Sequence, residues 1–158
     1  AVASTPIHQR GGVIDKFMGT EIMALFNTQL NPHEDHAWAA VQAAIEMVTA
    51  FRQLYASQGE PPGSAYYRIG IHSGIATMGN VGSLSRREFT AIGDTVNLSH
   101  RLVDMAGAGE ILVSQDIFQP CSEHLKRLAE RVQVLDRGEI TIRGRRQAVR
   151  IYQLQARN

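Results

Sequence analysis

Two side chains near the middle of the sequence, Asn97 and Arg101, have types and spacing that suit the binding of a phosphate or a sugar. Residues four apart on a helix share one face. An arginine carries a fixed fork of donors that matches a phosphate, and an asparagine amide can donate or accept. On spacing alone, however, an ordinary interpretation is favoured, in which Asn97 makes a local cap and Arg101 is a surface charge.

The segment around this pair predicts a strand, a turn and a helix. Residues 89–92 form a short apolar run that ends at Gly93, after which Asp94 or Thr95 can cap a first helical turn through a side-chain oxygen. A strand-to-helix turn presents backbone N–H groups to an anion, so it is a suitable place for the pair. Helical spacing is kept by four apolar residues, Val96, Leu98, Leu102 and Met105.

The length of 158 residues indicates one domain with its own core, and the net charge of +1 argues against a nucleic-acid binder that relies on charge. The single cysteine, Cys121, cannot form an internal disulfide, so nothing indicates an oxidising compartment. No apolar run is long enough to cross a bilayer, and the sequence does not open with a signal-peptide pattern. We therefore expect a cytoplasmic domain with no nucleic-acid partner and no membrane segment.

Residues 11–27 predict a β-hairpin that carries a charge inside one strand. Two apolar runs are separated by Gly19-Thr20, a spacing typical of two-residue hairpin turns. Lys16 lies in the middle of the first run, where a lysine indicates either a solvated face or an inward charge that awaits an acceptor. Residues 1–10 are polar and without pattern, and we expect a flexible segment or the end of a preceding element.

A long amphipathic helix is predicted from about Pro32 to Ser57. Asn31 can cap this helix, and Glu34 can complete a capping box. The tract 33–36, His-Glu-Asp-His, contains metal-binding residue types, but its histidines lack the four-residue spacing of a zinc-protease helix. The favoured interpretation is a solvated first turn whose acidic residues suit the helix dipole.

The next segments predict strands. Residues 66–72 and 75–81 are strand-like and are separated by Ser73-Gly74 at hairpin spacing, while residues 83–87 are typical of an exposed loop. Two helical pieces split by Pro120 follow, and further strands close the chain. A basic run at 143–146 falls in the turn between the last two strands.

Four segments, in this order, closely resemble the catalytic domain of class III adenylate/guanylate cyclases: GGVIDKFMG, RIGIHSGIATMGNVGS, FTAIGDTVNLSHRL and GEILVS. Four ordered motifs are far more specific than any one of them, and residues 11–158 form the cyclase homology domain that they imply. The resemblance implies an α/β (α+β) ferredoxin-like sandwich, with a mostly antiparallel sheet and helices on one face. It also implies homodimers, or heterodimers with another cyclase domain, whose active sites form between the subunits. The implied reaction converts ATP or GTP into the 3′,5′-cyclic nucleotide and pyrophosphate.

The resemblance gives a role to five residues of this sequence. Lys16 matches the lysine that reads the purine base and Thr90 matches its partner, and together they imply adenine and hence ATP. Asn97 matches the asparagine that orients the ribose, and Arg101 matches the arginine that stabilises the transition state. Arg143 lies near the position of the lysine that binds the triphosphate.

The metal-binding residues of the family are not matched. The family holds two divalent ions, Mg²⁺ or Mn²⁺, with two aspartates. One aspartate lies in a first strand, which like the helix after it is absent here, so we expect Ala1 to lie within a longer protein. The other lies at a Gly-Asp hairpin tip, which here is Gly19-Thr20, and a neutral hydroxyl is a poor replacement for a carboxylate against Mg²⁺. The adjacent Glu21 should point to the opposite face of the strand, so the sequence predicts no metal ligands.

Two hypotheses from different classes remain open. The first is an adenylate cyclase domain that is inactive or weakly active alone, because its metal ligands come from the missing segment or from another subunit. The second is a degenerate pseudo-cyclase that dimerises or binds nucleotide and passes a signal without chemistry. Thr20 favours the second hypothesis. Lys16, Asn97 and Arg101 favour the first, or a version in which two subunits share the site.

Overall fold

The computed structural model describes residues 2–28, 32–83, 86–141 and 147–157, with the backbone alone for 77–83 and 86–92. Helices alternate with strands along this part of the chain. Its elements are α1 (Ser4–Gln9), β1 (Val13–Met18), β2 (Glu21–Leu25), α2 (His36–Ser57), β3 (Ile69–Ile71), β4 (Thr77–Ser83), β5 (Arg86–Ile92), α3 (Asp94–Met105), β6 (Ile111–Ser114), α4 (Gln115–Arg127), β7 (Val132–Ile140) and β8 (Val149–Ala156).

A four-stranded sheet with the order β3-β6-β8-β7 forms the centre of this fold. β3 runs parallel to β6, while β8 is antiparallel to both β6 and β7. β6 is buried along its whole length, as expected of a short apolar strand covered on both sides. The predicted α+β class with a mostly antiparallel sheet is confirmed.

Helices cover both faces of this sheet. α2 and α4 share one core cluster with Ile111 and Val113 of β6, and α3 shares a second cluster with Leu112 of the same strand. Because successive strand residues point to opposite faces, α3 lies across the sheet from α2 and α4. The expected arrangement, with helices on one face, is therefore corrected: β6 has apolar side chains on both sides, and each side needs a helix to cover it.

Cys121 of α4 is fully buried in the first cluster. Burial raises the pKa of its thiol to about 12. The side chain is therefore protonated at neutral pH and packs as a small apolar group.

β1 and β2 form the predicted hairpin as a separate two-stranded sheet. Met18 lies opposite Glu21, which leaves Gly19 and Thr20 as the two-residue turn. Gly19 has a φ of 60°, in the left-handed region that glycine adopts without steric cost. The first predicted hairpin is confirmed.

The second predicted hairpin is wrong. β3 is a strand of three residues that pairs with β6, while β4 pairs with β5 along its whole length. Residues 72–76 therefore connect two different sheets, and Arg86 and Arg87, expected in a loop, lie in β5. Strand pairing depends on contacts that are distant in sequence, and the local spacing around Ser73-Gly74 does not contain them.

α2 begins later than predicted, at His36. Asn27 Oδ1 accepts a hydrogen bond from the backbone N–H of His33, and His33 Nδ1 accepts one from the backbone N–H of Asp35. Such local side-chain bonds compete with a helical turn, so they account for the later start. The expected cap, Asn31, lies outside the described residues.

Pro120 lies inside α4 and does not divide it. A proline lacks the N–H that would bond to the carbonyl four residues earlier, which weakens a helix at that point. One face of α4 nevertheless buries Ile117, Cys121 and Leu125, and this packing keeps the helix continuous.

The first ten residues contain a short helix instead of the expected flexible segment. α1 buries Pro6 and Ile7, and the Arg10 guanidinium that follows it pairs with Glu46 of α2. Neither α1 nor any other helix in the described ranges is long and apolar enough to cross a membrane.

Candidate functional site

Asn97 and Arg101 lie on one exposed face of α3. The opposite face of the helix is anchored by Leu98 and Leu102, which are 1% and 0% exposed and pack against the sheet. Neither the Asn97 amide nor the Arg101 guanidinium makes a hydrogen bond or ion pair with another described residue. Their donor groups are thus available to a ligand.

The start of α3 is fixed by contacts with the segment before β4. Gly93 occupies the N-cap position with a φ of 117°, and its carbonyl accepts the backbone N–H of Asn97 at 3.1 Å. Thr95 does not cap the helix, because its Oγ1 donates to the carbonyl oxygen of Ile75 at 2.5 Å. Asp94 is the first helical residue, where an acidic side chain suits the helix dipole. The predicted strand, turn and helix are present, but the expected side-chain cap is not formed.

α3 packs closely against β3 at Gly70. A Cβ atom at this position would lie 2.9 Å from Leu102 Cβ and 2.9 Å from the carbonyl oxygen of Ser99. Only glycine permits this approach, which fixes the distance between the sheet and the helix that carries Asn97 and Arg101.

We expect Gly70→Ala to lower the free energy of unfolding by about 1–3 kcal/mol, because the added methyl group must push α3 away from β3. Denaturant unfolding measures this loss. Gly107→Ala is the matched control, since the nearest atom to its Cβ would be the side-chain Oε1 of Glu110 at 3.2 Å, a milder contact than the backbone contacts at Gly70. Equal unfolding free energies for the two variants would contradict the close packing of α3.

Lys16 lies half-buried on β1, opposite Met23. A bulge between Ile14 and Lys16 shifts the register of the hairpin. Beyond the bulge, Lys16, Met18 and Glu21 share one face, since residues two apart on a strand, and residues paired across it, project to the same side. The base-reading candidate and the Glu21 carboxylate therefore extend from the same side of the hairpin.

The tip of the hairpin meets α3 through this carboxylate. Glu21 Oε2 lies 3.8 Å from Nδ1 of His100, the residue before Arg101. The contact brings the strand that carries Lys16 towards the helix that carries Arg101. No sequence pattern predicts it, because the two residues are far apart in the chain and Glu21 lies outside the recognised motifs.

The other two candidates are described less fully. Thr90 belongs to β5, where its backbone pairs with Gly79 of β4, and its side chain lies outside the description. Arg143 lies outside the described residues altogether. The roles of both residues stay predictions.

The described residues do not fit a two-metal centre. Within the described ranges, no group of three or more His, Cys, Asp or Glu side chains could hold an ion. Thr20, exposed at the hairpin tip, offers only a hydroxyl. In the tract 33–36, His36 Nε2 lies 3.2 Å from Ser73 Oγ, and Asp35 Oδ2 lies 3.9 Å from His124 Nε2 on α4. These side chains contact neighbouring elements and do not converge on a common point.

His72 has the surroundings of a structural histidine. Its side chain is 2% exposed, and its Nδ1 lies 2.7 Å from Oγ of Ser114, itself fully buried. The hydrogen bond joins the ends of β3 and β6, two parallel strands of the central sheet. A buried polar pair of this kind satisfies both groups and stabilises the sheet.

The fold and the exposed face of α3 define a class of protein. The family model described as the adenylate and guanylate cyclase catalytic domain matches residues 13–156 of this chain. The chain therefore belongs to the family of class III nucleotidyl cyclase catalytic domains, and the resemblance seen in its motifs is confirmed.

Similar proteins include both adenylate and guanylate cyclases. An adenylate cyclase from Anabaena cylindrica is 30% identical over 95% of this chain, which spans 29% of that protein's length. The crystal structure of the adenylyl cyclase CyaB from P. aeruginosa has 32% identity and a TM-score of 0.79, and the match covers 99% of this chain and 78% of that one. The crystal structure of the guanylyl cyclase Cya2 has 28% identity and a TM-score of 0.75 over 98% of this chain and 75% of that one. Because both kinds of cyclase match, the choice of purine must be argued from this chain's own residues.

Proposed function

We propose that this chain supplies the base-reading and transition-state residues of a cyclase site shared by two subunits, with ATP as the substrate. The observation that supports the proposal is the exposed face of α3, on which Asn97 and Arg101 lie one turn apart and whose donor groups are not bonded to any described residue. Thr20, in place of a metal carboxylate, favours a shared site over one that this chain completes twice in a homodimer.

In this reaction the residues of α3 have two functions, to stabilise developing charge and to orient the ribose. The ribose 3′ hydroxyl gives its proton to solvent and its oxygen bonds to the α-phosphorus, while the bond from that phosphorus to the bridging oxygen breaks and pyrophosphate leaves. Negative charge grows on the phosphate oxygens, and the fixed charge and donors of Arg101 stabilise it. The Asn97 amide holds the ribose so that its 3′ oxygen faces the phosphorus.

The complementary subunit supplies the metal carboxylates in this proposal. Divalent ions, when bound there, neutralise charge on the phosphates and favour ionisation of the attacking hydroxyl. The residues of this chain take no part in holding them, because Thr20 offers a neutral oxygen where a hard cation prefers a carboxylate.

Adenine is the base that suits Lys16 and Thr90 together. The lysine ammonium has only donors, and adenine has an acceptor at ring N1, where guanine has an N–H. The Thr90 hydroxyl can accept a hydrogen bond from the adenine amino group, which guanine lacks at that position. The resemblance implies that Arg143 lies near the triphosphate, and this role stays a prediction.

Reversing the charge of Lys16 tests the choice of base. In a mixed dimer with a metal-competent cyclase domain, we expect Lys16→Glu to reduce the preference for ATP over GTP about 10- to 100-fold, the loss expected for one good base contact. Competition between the two nucleotides measures the preference. Lys126→Glu is the matched control, because it makes the same charge change on the exposed side of α4, across the sheet from α3. An unchanged preference in Lys16→Glu would contradict the role of Lys16.

A pseudo-cyclase is the second candidate function, and Thr20 is the observation that favours it. In that case the chain dimerises and binds nucleotide, and the bound state passes a signal. ATP bound by a confirmed heterodimer without any turnover is the result that would support this alternative over the shared site.

A further inference from the structure

The β1–β2 hairpin has no backbone ladder to the central sheet among the described residues. Its strands pair only with each other there, and the four-stranded sheet has the separate order β3-β6-β8-β7. Lys16 lies on the hairpin, whereas Asn97 and Arg101 lie on α3, which is anchored on the central sheet. The distance between Lys16 on the hairpin and Arg101 on α3 is therefore set by packing, which includes the packing of β1 against α1 and β5 and the side-chain contacts between the hairpin and α3.

The Glu21–His100 contact lies where these halves meet. Glu21 follows the hairpin turn, and His100 lies between Asn97 and Arg101 in sequence. The 3.8 Å separation of Glu21 Oε2 and His100 Nδ1 is too long for a hydrogen bond and within the range of an ion pair, which forms when the imidazole is protonated. Both side chains are partly exposed, at 49% and 41%, which limits the strength of the pair.

Among the residues whose side chains the structure describes, few other charges compete for His100. β3 and β6, which pack beneath α3, contain no charged residue. On α3 itself Arg101 is adjacent and Asp104 lies one turn further on, but Asp104 makes no ion pair with His100. Of the described carboxylates, Glu21 is the one within 4 Å of this imidazole.

We propose that Glu21 and His100 are a positioning pair that holds the base-reading strand against the helix that binds ribose and phosphate. The proposal rests on the proposed function, because it explains how one nucleotide can reach both Lys16 and Arg101. Neither member touches the reacting atoms. Their effect is to fix the hairpin before substrate arrives, which reduces the ordering that binding would otherwise require.

The first experiment measures the pair without any nucleotide. We expect the backbone amides of residues 13–25 to exchange hydrogen about two- to fivefold faster in Glu21→Ala and in His100→Ala than in the unaltered chain, the size expected of an exposed ion pair. Asp104→Ala is the control, because it removes a nearby carboxylate that is not paired with His100. If the exchange rate of these amides is unchanged in both Glu21→Ala and His100→Ala, or rises equally in Asp104→Ala, the proposed interaction of Glu21 with His100 is contradicted.

The second experiment measures the consequence for substrate. In the mixed dimer, each single variant should raise KM for ATP about two- to fivefold and change kcat less. His100→Lys, which supplies a positive charge at this position, and the reversed pair Glu21→Lys with His100→Glu should both return KM towards its original value. If the single variants raise KM only by damaging the fold, reversing the two charges would not lower KM again. A KM that stays raised in the reversed pair therefore contradicts the positioning role. If the mixed dimer has no activity, the proposed function fails, and hydrogen exchange still decides whether the pair exists.

Discussion

Incubated alone with ATP and Mn²⁺, this chain should form little or no cyclic AMP. We infer from the motif resemblance that Thr20 takes the position of a metal-binding aspartate of the family, and no cluster of metal-binding side chains occurs within the described ranges. Metal ions contribute several kcal/mol to charge stabilisation in such reactions. Since about 1.4 kcal/mol corresponds to a tenfold change in rate, we expect a rate reduced by about three orders of magnitude or more relative to a metal-competent dimer.

A turnover assay with a sensitive readout of cyclic AMP decides this prediction. Thr20→Asp should not restore activity, because it supplies one carboxylate where the family uses two. Robust cyclic AMP formation that disappears in Arg101→Ala would contradict the prediction and would require metal ligands from elsewhere in this chain.

In a mixed dimer with a metal-competent partner, Asn97→Ala and Arg101→Ala should each lower the rate of cyclic AMP formation about 10²- to 10³-fold. Removal of one preorganised donor to a developing charge costs about 3–4 kcal/mol in enzymes where it has been measured. The two side chains are exposed and unpaired with other described residues, so their removal should leave folding intact. Light scattering establishes that each variant still forms the mixed dimer before its rate is compared.

Arg127→Ala is the matched control for Arg101→Ala. Arg127 is exposed at the end of α4, across the sheet from α3, and its loss should leave the rate unchanged. An equal loss of rate in Arg101→Ala and Arg127→Ala would indicate a general effect of removing a positive charge. An unchanged rate in Arg101→Ala would contradict a role for Arg101 in the reaction.

The parts of the fold that depend on residues close together in the sequence could be predicted from it. The Gly19-Thr20 turn sets the first hairpin, because a two-residue connection permits few geometries. The 3.6-residue period of the helix predicts that Leu98 and Leu102 are buried, as they are, and that Asn97 lies on the exposed face. The candidate pair on α3 was therefore available from spacing, and its proposed role came from the motifs around it.

The parts that depend on distant residues could not be predicted in this way. The parallel pairing of β3 with β6 joins segments separated by β4, β5 and α3, and the Ser73-Gly74 spacing favoured a false hairpin. Pro120 indicated a break, but burial of Cys121 and Leu125 outweighed one lost hydrogen bond. The Glu21–His100 contact exists only once the hairpin tip reaches α3, so no local pattern contains it.

The claim that this chain completes a site in trans is tested most directly by mixing it with a related cyclase domain that keeps its metal aspartates but has its own asparagine and arginine replaced. That partner alone should form almost no cyclic AMP, and this chain alone should also form almost none. With the heterodimer confirmed by light scattering, the mixture should form cyclic AMP from ATP at a rate far above the sum of the two separate rates. A confirmed heterodimer that forms no cyclic nucleotide would contradict the shared site.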